Sequence, residues 1–156
     1  MKEPLQDLSN TREVLQQQIM EELAVTGECF LCPSVIKRIV AKYPEIPNLS
    51  IYEGKDWFIK HNAFPYEGTV LHLLIIPKRH VTRLEDLSTA EFLEIQEMIA
   101  WVNKTYNVEG ASMFIRYGKM SYTGATLAHM HFHILHGVEK SEDSESIKPK
   151  LGYKEK

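Results

Sequence analysis

Four of the seven histidines of this chain lie close together, in the segment His129-Met130-His131-Phe132-His133-Ile134-Leu135-His136. If the segment is an extended strand, His129, His131 and His133 project from one face, and the apolar residues between them project from the other. Imidazoles about 7 Å apart along a strand can flank a phosphate group, but neighbouring rings are too far apart to chelate one ion. The plain alternative is the polar outer face of a half-buried strand. Such faces favour Lys, Glu and Thr, so alternating histidines indicate a reactive face instead.

The central histidine of this segment, His131, is the candidate nucleophile. Neutral imidazole is abundant near neutral pH and carries no charge that would repel a phosphate anion. The reaction would have two steps: a nucleotidyl-imidazole forms as the leaving group departs, and water or another acceptor later displaces the histidine. A protonated His133 could donate to a phosphate oxygen and offset charge in the transition state.

The only cysteines of the chain are Cys29 and Cys32. Their spacing suits two thiolate ligands of one zinc ion, which requires two further ligands. We expect histidines to supply them, from His80 and one end of the histidine segment, and four protein ligands would make this zinc structural. A redox role needs a strand before the motif, and residues 23–28 have no strand pattern. Without the cysteines, a buried His80 that caps a strand end would be the simpler interpretation.

Length and composition limit the class of protein. A chain of 156 residues with 44% hydrophobic composition can form one domain around one core. A net charge of -3 supplies no broad basic surface for nucleic acid, so any anion must be bound locally. The polar N-terminal sequence and the lack of a long apolar window predict a soluble, cytoplasmic protein that does not insert into a membrane.

Capping patterns predict three helices. Asn10 with Glu13 predicts the cap of a first, loosely amphipathic helix. Pro33 predicts the start of a short second helix, with the two thiols at its entrance. Ser88 with Glu91 forms a capping box ahead of a third helix, which has apolar residues at helical spacing.

Apolar runs between turn residues predict the strands of a sheet. Three strands are expected at residues 51–52, 57–59 and 70–76, and a fourth at 111–117. The histidine segment supplies the fifth. The order of helices and strands predicts an α+β fold with a meandering sheet.

These residues resemble the histidine triad (HIT) family, whose signature is three alternating histidines separated by apolar residues and followed by two more. Residues 129–135 match that signature. The likeness also includes 62–65, 72–80 and 29–32, and it extends roughly over 29–137, so the combined spacing is more specific than any one motif.

The resemblance implies a nucleotide hydrolase or transferase that attacks the α-phosphate of a nucleoside phosphoramidate or a dinucleoside polyphosphate. It also implies a five-stranded antiparallel sheet with helices packed on it, and a homodimer formed by joining two such sheets. The residue roles it implies are a nucleophile at His131, a phosphate-binding partner at His133, a ribose contact at Asn62, a phosphate contact at Thr126, and a structural zinc site of Cys29, Cys32, His80 and His129.

Three residues depart from the family pattern. Arg116 stands where many members have Asn, Ala125 stands where Gln is common, and His136 is an additional imidazole. Arg116 could replace a neutral contact with a charged one and so favour a longer polyphosphate; the alternative is an ordinary surface arginine.

The predicted division of the chain is an N-terminal helical extension at 1–26, a HIT-like catalytic domain at 27–138 and a polar C-terminal tail at 139–156. The tail is expected to be mobile, although residues 147–153 could dock on a partner or over a pocket.

Two other functions compete with the enzyme. One is a zinc-stabilised nucleotide-binding or scaffolding protein with little turnover. The other is a cupin-like metal oxygenase, because two alternating histidines can hold iron. The oxygenase needs a nearby carboxylate, but Glu139 lies far along the chain and the cysteines would have no role.

Overall fold

The centre of the protein is a five-stranded antiparallel sheet in the order β1-β2-β3-β5-β4. The structure is a computed structural model that describes residues 4–47 and 50–156. The strands are β1 (Tyr52–Glu53), β2 (Trp57–His61), β3 (Leu71–Pro77), β4 (Ser112–Arg116) and β5 (His131–His136). The helices are α1 (Val14–Thr26), α2 (Pro33–Lys42), α3 (Thr89–Tyr106) and the single turn α4 (Met120–Thr123). The predicted α+β fold with its five-stranded antiparallel sheet is confirmed. The predicted meander is wrong after β3, because β5 lies between β3 and β4.

The face of the sheet that carries His131 and His133 is called the site face. Because side chains alternate along each strand, the register of the sheet aligns particular residues across it. One such row contains, from β2 to β4, Lys60, Leu74, His133 and Phe114. In the neighbouring row, Arg116 of β4 lies opposite His131 of β5. The site face therefore brings two cationic side chains close to the two histidines.

The opposite face of the sheet packs on α3. Its apolar cluster includes Trp57, Ile59, Ile75, Ile95, Met98, Val102, Phe132 and Ile134. The capping box of α3 forms as predicted, since Ser88 accepts from the Glu91 backbone and Glu91 accepts from the Ser88 backbone. This half of the core holds β5 so that its histidines project from the other side.

Helices α1 and α2 pack on the site face beside the histidines. They share one cluster with the sheet, formed by Ile19, Met20, Leu23, Ile36, Ile39, Phe58, Leu74 and Ile76. The predicted cap of α1 is wrong, because Glu13 is its N-cap and Asn10 ends a separate 3-10 turn, Leu8–Asn10. The side-chain amide of Asn10 instead donates to the backbone carbonyl of Ala125, which is distant in sequence.

Strand β5 begins two residues later than the histidine pattern predicts. The backbone amides of Ala128 and Met130 donate to Leu5 and Val81, in loops outside the sheet. His129 therefore lies in a bend before β5, and the alternation of one face applies only from His131 onward. The expectation that all three histidines project from one strand is wrong for the first of them.

The C-terminal tail has no regular secondary structure, yet it contacts the site face. The Lys150 carbonyl accepts from Arg116 Nε at 3.1 Å. The Tyr153 hydroxyl donates to Asn10 at 2.7 Å. The tail and the segment around Asn10 thus meet beside the histidines. Within the described residues, the helices are too short or too polar to cross a bilayer.

Candidate active site and metal centre

A cavity opens on the site face, and we call it the histidine cavity. It is bounded by β2, β5, the loop before β5 and the N-terminal segment. All five residues predicted to be catalytic or substrate-binding line it: Asn62, Arg116, Thr126, His131 and His133. The structure therefore brings together residues from two strands and two loops.

His131 has a defined tautomer. Its Nδ1 lies 2.8 Å from the backbone carbonyl of His129. Because a carbonyl oxygen only accepts, Nδ1 carries the proton and Nε2 carries the lone pair. Among the described residues Nε2 has no hydrogen-bond partner, and the ring lines the histidine cavity. Burial lowers the pKa of His131 to about 4, so the ring is neutral near pH 7.

The proton on His133 is set by a chain of hydrogen bonds through His72. The Tyr66 amide donates to His72 Nδ1 at 3.1 Å, so the proton of a neutral His72 is on Nε2. His72 Nε2 then donates to His133 Nδ1 at 2.9 Å. The remaining proton of His133 is consequently on Nε2. Burial lowers the pKa of His72 to about 3, which keeps that ring neutral.

Arg116 faces this donor. Its Nη1 lies 3.1 Å from His133 Nε2, and because a guanidinium only donates, two donors face each other at this contact. A phosphate oxygen beside both nitrogens would accept from each and relieve this opposition. Burial lowers the pKa of His133 well below its usual value, so this donor is a neutral ring and not the imidazolium expected from the sequence. Arg116 is only 8% exposed, which excludes an ordinary surface arginine.

Asn62 and Thr126 are held in place at the wall of the cavity. The side-chain oxygen Oδ1 of Asn62 accepts from the backbone amide of Phe64 at 2.9 Å. Its Nδ2 lies 3.1 and 3.4 Å from the two nitrogens of His72, against that ring. The Thr126 hydroxyl donates to the Asn10 carbonyl at 3.0 Å, which leaves its oxygen able to accept.

The histidine cavity is strongly cationic although the chain is acidic overall. Its lining includes four cations, which are Arg12, Lys60, Arg116 and Lys150. Among the described residues that line it, none is Asp or Glu. Arg12 stacks over the Tyr66 ring at 4.2 Å, which holds its charge at the cavity wall. A cavity of this charge favours anions with more than one phosphate group.

The four predicted metal ligands form a second cluster beside the cavity. The ligand atoms of Cys29, Cys32, His80 and His129 all lie within 4.8 Å of one another. The sulfur of Cys29 is 3.5 Å from His129 Nδ1, and that of Cys32 is 3.7 Å from His80 Nδ1. A tetrahedral zinc site with usual bond lengths has sulfur–nitrogen edges of about 3.6 Å. The donor set therefore fits a metal of this kind.

Surrounding groups orient the ligands. His129 Nε2 donates to the Pro77 carbonyl at 3.0 Å, so its Nδ1 lone pair points toward the thiols. The hydrogen bond between the two cysteines is the main cause that lowers the pKa of Cys32 to about 4 and raises that of Cys29. Without metal, the pair thus shares one proton, which a divalent cation would displace.

The two clusters are joined through His129. Its side chain belongs to the metal cluster, and its carbonyl accepts from His131 Nδ1. A metal that holds His129 would therefore also hold His131 in this tautomer.

Several residues in or beside the cavity were not assigned a role from the sequence: Arg12, Lys60, Tyr66, His72 and Lys150. His72 lies within a stretch that resembles the family, and a single polar residue in the apolar run of β3 is a signal that could have identified it. The other four lie on segments that carry no recognisable spacing relative to the histidines.

Comparison with known proteins agrees with this geometry. An uncharacterized HIT-like protein from Chlamydia trachomatis is 29% identical over 91 residues, which are 56% of this chain and 78% of the relative. A bis(5'-adenosyl)-triphosphatase from Dictyostelium discoideum is 35% identical over 68 residues, which are 41% of this chain and 44% of the relative. The fold is similar to that of a hypothetical histidine triad nucleotide-binding protein from Sulfolobus tokodaii, with a TM-score of 0.53, 21% identity and coverage of 81% of each chain.

The comparison with family models gives the same result. The HIT domain matches residues 43–140, which include β2, β3, β4, β5 and the histidine triad. Since this match spans more than half of the sequence, the chain belongs to the HIT domain family.

Proposed function

We propose that the protein is a nucleotidyl hydrolase or transferase that attacks the α-phosphate of a nucleoside phosphoramidate or dinucleoside polyphosphate through His131. The observation that carries this proposal is the tautomer of His131, whose lone pair is on the nitrogen without a protein partner among the described residues. A neutral, oriented imidazole in a cationic cavity has the requirements of a nucleophile toward phosphorus.

The first chemical step would form a phosphorus–nitrogen bond at His131 Nε2 while the bond from phosphorus to the leaving group breaks. The leaving group takes the electron pair, and Nδ1 keeps its proton and its bond to the His129 carbonyl. The adjacent N–H groups of His133 and Arg116, which oppose each other without substrate, would both donate to phosphate oxygens and stabilise their charge. In the second step a water oxygen bonds to phosphorus, the electron pair returns to Nε2, and the proton of water passes to solvent.

We infer that Asn62 contacts the ribose hydroxyls. We also infer that the Thr126 hydroxyl turns from the Asn10 carbonyl to donate to a phosphate oxygen when substrate binds. Both side chains line the cavity. The cationic lining favours a dinucleoside polyphosphate over a phosphoramidate, because the former offers more negative charge. The Dictyostelium relative, named as a bis(5'-adenosyl)-triphosphatase, supports this preference.

We also propose that the metal is zinc, bound by Cys29, Cys32, His80 and His129 in a structural role. Two thiolates and two imidazoles are a usual donor set for structural zinc, and four protein ligands would leave no position for substrate. A homodimer and a cytoplasmic location, predicted from the sequence, stay predictions.

The proposed function is tested by mass spectrometry of the intact protein after brief exposure to phosphoramidates and dinucleoside polyphosphates. We expect a mass increase of one nucleotidyl group, mapped to His131 and lost on incubation in water. The increase identifies which nucleotide is transferred. An adduct at another residue, or turnover without an adduct in rapidly quenched samples, would count against the covalent mechanism.

Replacement of Arg116 by Gln is expected to lower kcat/KM for dinucleoside polyphosphates by about 10- to 100-fold, since a charged hydrogen bond contributes about 1.5–3 kcal/mol. The loss for phosphoramidates is expected to be smaller. Arg83→Gln is the matched control, because Arg83 is exposed and does not line the cavity. Equal kcat/KM in R116Q and wild type would contradict the role of Arg116.

One observation favours a second function, a zinc-stabilised nucleotide-binding or scaffolding protein with little turnover. The Arg116 guanidinium donates to the Lys150 carbonyl, so the tail already uses a donor that a phosphate would need. Tight binding of nucleoside monophosphates together with no adduct and no turnover across the substrate panel would support this alternative.

A further inference from the structure

Lys60 is a buried lysine that the reaction above does not use. Its side chain lies on the site face, lines the histidine cavity and is only 1% exposed. Nζ donates to the His61 carbonyl at 3.0 Å. Among the described residues, no carboxylate lies within ion-pair distance of it. A buried ammonium without a counter-ion is unfavourable and therefore points to a functional requirement.

The ammonium group has donors to spare. A lysine ammonium carries three N–H groups, and the His61 carbonyl accepts from one. Burial lowers the pKa of Lys60 to about 8, which still leaves most of the population charged at pH 7. Two N–H groups therefore remain for an acceptor that enters the cavity.

The position of Lys60 separates it from the reacting phosphate. Lys60 lies opposite Leu74, and Leu74 lies opposite His133, so two strand spacings, about 10 Å, separate the backbones of Lys60 and His133. Nζ lies 5.9 Å from the centre of the Phe30 ring. Met20, Phe30, Leu31 and Leu74 give this end of the cavity an apolar lining.

An apolar slot with one cation suits a planar base that carries oxygen acceptors on one edge. Guanine presents O6 and N7 side by side, and one ammonium can donate to both. Uracil offers carbonyl oxygens as well. Adenine places an amino group, a donor, beside N7, so it would oppose the ammonium with a like donor.

We propose that Lys60 binds the base of the nucleotide and selects an oxo-substituted base, guanine or uracil, over adenine. This preference would distinguish the chain from the Dictyostelium relative, whose name gives an adenosyl substrate. This inference rests on the proposed function, because it takes the nucleotide phosphate to lie at His131 and His133. In this proposal Lys60 determines the specificity for the base. His131 reacts with the phosphate of the same nucleotide.

The test compares wild type with Lys60→Met and Lys60→Gln. Titration with GMP, UMP and AMP measures base preference without turnover, and kcat/KM for guanosine, uridine and adenosine phosphoramidates measures it in the reaction. In wild type we expect GMP or UMP to bind at least about tenfold more tightly than AMP, in line with about 1–3 kcal/mol for a good pair of hydrogen bonds to a base. Whichever of GMP and UMP binds more tightly identifies the preferred base.

Lys60→Met removes the hydrogen-bond donors and places an apolar side chain of similar length at this position. The preference for GMP or UMP over AMP should therefore fall to less than about threefold. Lys60→Gln supplies an amide that can pair with the N7 and amino group of adenine, so the preference should shift toward AMP. A residue with only a structural role would not produce this shift. Lys55→Met is the matched control, since Lys55 is an exposed lysine outside the cavity.

Two results would overturn the proposal: equal or tighter binding of AMP by wild type, or equal loss of affinity for all three nucleotides in Lys60→Met. The second would assign Lys60 to the phosphates or to the fold. Failure of the proposed function is distinguishable, because it would remove turnover and the His131 adduct while leaving the binding preference measurable.

Discussion

Replacement of His131 by Asn is expected to lower turnover of both substrate classes at least about 10³-fold, because it removes the nucleophilic nitrogen. The Asn amide is shorter than the imidazole but can still donate toward the His129 carbonyl, so the loop before β5 should keep its conformation. Steady-state kcat and the yield of the nucleotidyl adduct are the measurements. Nucleotide binding should survive, since His133 and Arg116 remain.

The matched control for this variant is His136→Asn. His136 is in the same strand, but it projects from the opposite face and its Nδ1 lies 2.7 Å from the Gly110 carbonyl. We expect this control to keep turnover within about threefold of wild type, as is usual for a substitution away from the reacting groups. Comparable turnover in His131→Asn and wild type would exclude nucleophilic catalysis by His131.

Replacement of Cys29 by Ser is expected to reduce the metal content from about one ion per chain to nearly none and to lower Tm by about 10 °C or more. Metal binding is coupled to folding, and for a chain of this size each kcal/mol of stability corresponds to about 2–4 °C. Elemental analysis and thermal unfolding measure the two effects. Treatment of wild type with a strong chelator should reproduce both.

The control for the metal site is His61→Gln, a histidine of β2 that lies outside the metal cluster. It should retain the metal. Wild-type protein that contains no metal and is as stable as chelator-treated protein would contradict the structural site. Iron in place of zinc would contradict the assignment of the metal as zinc.

Loss of the metal should also lower turnover, because the carbonyl that orients the nucleophile belongs to a ligand of the cluster, His129. This coupling gives a reason for a structural metal site to lie beside the histidine cavity. It also separates the two predictions: His131→Asn should lose activity and keep the metal, whereas Cys29→Ser should lose both.

The sequence by itself determined the local features of the site. The alternation in β5 fixes His131 and His133 on one face, because a period of two is a property of any strand. The spacing of Cys29 and Cys32 is likewise local, and it identified the metal cluster. The capping box at Ser88 located the start of α3 for the same reason, since its two hydrogen bonds join residues three apart.

Only the tertiary structure decided the protonation and charge of the cavity. The tautomer of His133 depends on His72, and β3 meets β5 only after the sheet has formed in the order β1-β2-β3-β5-β4. Arg12 and Lys150, from opposite ends of the chain, line the same cavity, and no spacing predicts that meeting. Burial of Lys60 also depends on how α1 and the sheet pack. Hydrogen-bond partners and desolvation depend on distance in space, which a linear pattern of residues does not specify.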